Sequence, residues 1–74
     1  MTHVTRRFLT TGMHCPSCSA LIEMDVAAID GVTSVHSDHR TAITEVMYDA
    51  ALVSPEHIID AVAVAGYGAE LLDE

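Results

Sequence analysis

Two apolar stripes of helical period, each opened by a proline and closed by a glycine, constrain this chain more than any other feature. Between Pro16 and Gly31, the residues Ile22, Val26 and Ile29 fall at i, i+4 and i+7; between Pro55 and Gly66, Ile58, Ala61, Val62 and Ala65 line one side in the same way. Proline suits the first position of a helix, because the N–H it lacks would have no acceptor within the helix. Glycine adopts the left-handed conformation that commonly ends one. The spacing therefore predicts a first helix from about Pro16 to Ile29, capped by Gly31. It predicts a second helix starting at Ser54-Pro55-Glu56 and ended by Gly66.

The flanking segments read as strands. Val4 to Thr11 places Val4, Arg6, Phe8 and Thr10 on one side and Thr5, Arg7, Leu9 and Thr11 on the other, with Phe8 as the core residue and Gly12 as the break. Val32 to Ser37 and Ala42 to Tyr48 form two more, joined around Asp38-His39-Arg40-Thr41, although their alternation is imperfect. Tyr67 to Leu72 supplies a last strand before Asp73-Glu74. The order β-α-β-β-α-β predicts an α+β fold of the split β-α-β type, a four-stranded antiparallel sheet with two helices on one face. If the first strand runs up, the turn after it, the central hairpin and the turn after the second helix all lie at the upper end. Cys15, Cys18, the loop at His39 and Tyr67 would then share one edge.

With 74 residues the chain is expected to be one domain over 1–74, burying roughly 60% of the surface its unfolded form exposes. Half of it is hydrophobic, enough for a core. The net charge is −8, because eleven carboxylates face only Arg6, Arg7 and Arg40. That balance excludes a nucleic-acid role. Met1 to Thr11 lacks the apolar stretch of a secretory signal, and no later segment is long enough to span a bilayer, so no membrane insertion and a cytoplasmic location are expected. An initiating Met1 and a short tail favour a free-standing protein over a piece of a larger one.

In a reducing compartment two cysteines spaced C-x-x-C are a metal site or a redox pair rather than a structural disulfide. Met13-His14-Cys15-Pro16-Ser17-Cys18 puts one thiol in the loop and the second in the first helical turn, where both sulfurs can converge. The field of the helix N-terminus favours thiolates, which serve a metal ligand and a nucleophile alike. Two thiolates suit a soft ion of low coordination number, whereas zinc usually takes four ligands, so Cu(I) fits better than zinc. An under-coordinated ion also leaves room for an incoming thiolate, which allows transfer by ligand exchange. The competing readings are a thiol-disulfide oxidoreductase with Cys15 as nucleophile and an interaction module with incidental thiols. The chain lacks a proline opening a strand that would face a glutaredoxin-like motif, since its other proline, Pro55, opens a helix.

Gly12-Met13-His14-Cys15-Pro16-Ser17-Cys18 resembles the GMxCxxC signature of the heavy-metal-associated domain family. Ile22, Val26, Ile29, Gly31-Val32, Val46, Tyr48-Asp49, Ser54-Pro55 and Gly66-Tyr67 also fall in the order and spacing of that family, so the resemblance covers nearly the entire chain. It implies a ferredoxin-like fold, Cys15 and Cys18 as metal ligands, Met13 tucked beneath the loop as an anchor, and Tyr67 near the site. It further implies a carrier rather than an enzyme, a monomer that can pair through a shared ion. Its cargo would be Cu(I), with zinc, cadmium and mercury as the family's other metals. The implied partner is a metal-transporting P-type ATPase or another acceptor, meeting this acidic chain through a basic docking surface. Tyr67 stands where eukaryotic copper chaperones carry lysine, which resembles the bacterial or archaeal pattern. His14 stands where the zinc-transport branch often has an acidic residue.

The remaining polar residues read as solvated. His3, His36, His39 and His57 do not form a spaced ligand set, and His14 matters only as the neighbour of Cys15. Glu23, Asp25, Glu56 and Asp60 read as solvated helix positions. Met13 reads as core rather than ligand, because coordination would require it to leave an apolar position.

Overall fold

The computed structural model describes residues 3–13 and 16–72. Within them the chain runs β1 His3–Thr11, α1 Pro16–Ala27, β2 Val32–Asp38, β3 Ile43–Asp49, α2 Pro55–Val64 and β4 Gly68–Leu71. The strands form one sheet in the order β2-β3-β1-β4, with every neighbouring pair antiparallel. This is the ferredoxin-like α+β arrangement that the element order predicts.

The core is what the periodicities imply, with one large addition. Phe8 from β1, Ile22 and Val26 from α1, and Ile58 and Val62 from α2 are buried together with Val46, Val53 and Tyr48. Tyr48 is the largest fully buried side chain, and strand alternation in β3 sends it inward with Val46 and Thr44. Among the described residues no cysteine belongs to this core, so the chain should fold without metal, unlike a zinc finger. A Cys15→Ser, Cys18→Ser double variant is expected to keep the native circular dichroism spectrum and a cooperative melt; an unfolded spectrum at room temperature would refute this.

Several boundaries differ from the sequence reading. α1 stops at Ala27 rather than Ile29, and two tighter turns follow, with Ile29 N–H donating to Val26 O at 3.1 Å and Val32 N–H to Ile29 O at 3.1 Å. Gly31 is therefore not the cap of that helix. It lies at φ +102°, and a Cβ there would sit 2.7 Å from Val53 Cγ2, so the glycine serves a close approach between this turn and the loop before α2. Gly66 does cap α2: its N–H donates to Ala63 O and the Tyr67 N–H to Val62 O, the paired bonds of a Schellman motif around a residue at φ +99°. Ala42, expected to open β3, instead lies at φ +62° and closes the hairpin loop 39–42. β4 is shorter than expected, beginning at Gly68 and ending at Leu71.

The imperfect alternation of β2 has a structural cause. Its register on β3 shifts between Val32 and Ser34, which marks a bulge at the start of this edge strand. Bulges and side chains that occupy outward-facing N–H groups both blunt an edge against pairing with another chain. Glu23 does the second of these here, reaching from α1 to accept the Ser37 N–H at 2.8 Å. It is half-buried, not the solvated position its place in the helix suggests.

Candidate functional site

The upper end of the sheet gathers the segments that the connectivity places there. β1 ends at Thr11, and Gly12 follows at φ +95°, a conformation that suits glycine. The Tyr67 ring packs directly on this turn, its Cδ1 3.2 Å from where a Cβ on Gly12 would stand. Tyr67 is thus a packed neighbour of the loop, delivered by the Gly66 cap. Met13 is half-buried and packs against the hydrophobic core. Cys18 lies in the first turn of α1 and is half-buried, where the positive end of the helix dipole favours a negatively charged sulfur. His14 and Cys15 lie outside the described residues.

Met13 is held by more than apolar packing. Ser37 Oγ donates to its sulfur at 3.3 Å and Ser19 Oγ at 3.7 Å, one hydroxyl from β2 and one from α1. Behind Ser37, the Thr44 hydroxyl lies 3.0 Å from Ser37 Oγ and the Thr10 hydroxyl 2.7 Å from that of Thr44. Thr10, Ser19, Ser37 and Thr44 are all buried. The sequence reading put Thr10 on the Phe8 side of β1 but missed this cluster. Its signal was three hydroxyl residues at inward strand positions, in β1, β2 and β3.

A shallow depression beside the loop is lined by Ser19, Ser37 and the hairpin residues His36, Asp38, His39 and Arg40. There the Arg40 N–H donates to Asp38 Oδ1 at 2.9 Å. That bond, helped by the charges of Arg40 and His39 against the opposing effect of desolvation, holds the Asp38 carboxyl below its usual range. Among the described residues, no three His, Cys, Asp or Glu side chains converge on a point that could hold a metal ion. The described histidines do not form a ligand set: His36 is exposed and 3.8 Å from Glu23 Oε2, and His57 accepts the Ser54 N–H through Nδ1 at 3.1 Å. His57 therefore helps cap α2 rather than being merely solvated.

The model of the heavy-metal-associated domain matches residues 7–68. The chain is 38% identical over 56 residues to the copper chaperone CopZ of Bacillus subtilis, an alignment covering 76% of this chain and 81% of that one. It is 39% identical over 67 residues to a probable copper-importing P-type ATPase of Enterococcus hirae, covering 90% of this chain but 9% of the ATPase. Among solved structures, a copper-binding domain from HMA7, a P-type ATPase, superposes with a TM-score of 0.92 at 30% identity, covering 95% of each chain.

Proposed function

This chain belongs to the heavy-metal-associated domain family, and from that premise we propose that it carries one Cu(I) ion on the thiolates of Cys15 and Cys18 and hands it to a metal-transporting P-type ATPase. The observation that supports the proposal is that the Gly12-Met13 turn at the end of β1 stands only two residues before the helix whose first turn bears Cys18. Copper relatives of two kinds support the choice of cargo and partner: a chaperone matched over most of its length and a transporting ATPase matched over a small part. Pumping belongs to the rest of such an ATPase and is not carried over to this chain.

In this reading the whole chain, 1–74, is one domain and a carrier, not an enzyme. Each thiol gives up its proton as its sulfur takes the ion, and copper remains Cu(I) throughout. A thiolate from the acceptor adds to the ion and one domain thiolate leaves; a second acceptor thiolate then displaces the other, so the cargo moves without being released to water and the freed domain thiolates can take up protons again. The reaction needs reduced thiols, which fits a cytoplasmic setting. Anaerobic titration of the reduced chain with Cu(I), run beside a disulfide-reductase assay, tests it: one ion per chain and no turnover are expected, and turnover without Cu(I) binding would establish the redox reading instead.

Charge sets how the partners meet. Glu23, Asp25, Glu56 and Asp60 place carboxylates on the two helices of a chain with net charge −8. A basic surface on the acceptor is the complement, and such attraction acts mainly on the association rate. Raising ionic strength from low to physiological should therefore slow copper transfer severalfold, because the Debye length falls to about 8 Å. A transfer rate flat across that range would eliminate the basic docking surface.

A further inference from the structure

We propose that Ser37 is a positioning residue for the thiolate loop, acting through the Met13 sulfur as the last member of a one-way chain of hydroxyls that starts at Thr10. The inference rests on the Cu(I)-carrier reading for its functional consequence, but not for its structural content.

The direction of the chain follows from counting protons. A thioether sulfur only accepts, so the contact of 3.3 Å uses the single hydroxyl proton of Ser37. At the Ser37–Thr44 contact of 3.0 Å, Thr44 must then donate, and at the Thr10–Thr44 contact of 2.7 Å, Thr10 must donate. The order is Thr10 to Thr44 to Ser37 to Met13, crossing the adjacent strands β1, β3 and β2 and ending on the residue two before Cys15.

Burial makes this arrangement informative. Thr10 is 1% exposed, Thr44 fully buried and Ser37 6% exposed, and a hydroxyl in such a place must find a protein partner. Without the sulfur as terminal acceptor, the Ser37 proton would have to turn back toward Thr44 and reverse or break the bonds behind it. Met13 is thus specified as an acceptor as well as an apolar plug, which a leucine of similar bulk could not be. Ser19 adds a second, longer bond to the same sulfur from the turn that carries Cys18. The thioether is consequently tied to β2 on one side and α1 on the other, and the backbone leading into Cys15 starts from a fixed point. Holding the loop in this way lowers the ordering cost of closing two thiolates on one ion.

The test is a double-mutant cycle between Ser37→Ala and Met13→Leu, read in two ways. In the metal-free chain, ¹³C relaxation of the Met13 ε-methyl reports whether the side chain is held; Ser37→Ala is expected to shift this resonance and lower its order parameter. In the copper-loaded chain, competition against a Cu(I) chelator is expected to show Ser37→Ala weakening binding about threefold to fivefold, the size of one modest hydrogen bond. In the Met13→Leu background the same serine change should cost no further Cu(I) affinity, because no sulfur remains for Ser37 to hold. A Met13 methyl unmoved by Ser37→Ala, or an equal loss of affinity in both backgrounds, would overturn the proposal. Should Ser37→Ala fold poorly, Ser37→Cys, which keeps the bulk but exchanges the hydroxyl for a weak S–H donor, must move the Met13 methyl in the same direction, and an unmoved methyl there is equally fatal. Failure of the unsubstituted chain to bind Cu(I) would refute the carrier reading alone, since the methyl measurement needs no metal.

Discussion

Serine in place of Cys18, or of Cys15, is expected to abolish tight Cu(I) binding. Oxygen is a hard donor and a poor ligand for a soft ion, and a two-thiolate site loses half its ligand set in one substitution. Structural zinc sites distribute about 10–16 kcal/mol over four ligands, so one ligand is worth about 3 kcal/mol and its loss at least about a hundredfold in affinity. Changes at His36, His39 or His57 should leave affinity nearly unaltered, since His36 is exposed on β2, His57 is engaged at the α2 cap and the described histidines do not converge on a point. His14→Ala should shift affinity only slightly. Competition against a Cu(I) chelator, repeated with zinc, checks both halves. Tighter zinc than copper binding, or a Cys18→Ser chain that still outcompetes the chelator, would end the two-thiolate copper model.

Phe8→Ala should leave the chain barely folded. Phe8 has no exposed surface and sits in β1, which pairs with β3 on one side and β4 on the other beneath both helices. Truncating such a ring costs about 3–5 kcal/mol through lost burial and the cavity left behind. At about 0.05–0.15 kcal/mol per residue, a chain of 74 residues has only about 4–11 kcal/mol in total. A urea melt should show a midpoint near zero or no cooperative transition, where the unsubstituted chain gives a clear one. Val64→Ala on α2, at a side chain 86% exposed, serves as the contrast and should stay within about 0.5 kcal/mol. If the two variants melted alike, the assignment of Phe8 to the centre of the core would be wrong.

The order of elements, the core stripes and the gathering of the Gly12-Met13 turn, Cys18, the His39 loop and Tyr67 at one end of the sheet were legible in the sequence. The signals behind them act over a few residues: a proline can open a helix, alternation separates two faces, and Gly66 ends α2 through bonds that span a single turn. Placing Cys18, the His39 loop and Tyr67 at one edge needed only connectivity, because each element reverses direction and the ends must alternate.

Other features depend on which strands lie side by side and in what register. Gly31 reads as a helix cap locally, yet its role is set by Val53, which approaches from a loop twenty-two positions away in sequence. Glu23 has the spacing of a solvated helix residue, but α1 lies against β2 so that it meets an otherwise outward-facing N–H at Ser37. The hydroxyl chain beneath Met13 needs β1, β3 and β2 adjacent in that order, with Ser37 directly across from Thr44 and Thr10 diagonal to it, two positions past Phe8, the residue paired with Thr44. Thr10, Ser37 and Thr44 show their polarity in the sequence, but not that each would be buried facing the next. A side chain's period is local information, whereas the partner of a buried polar group is decided by residues tens of positions away, which the tertiary fold alone brings within hydrogen-bond reach.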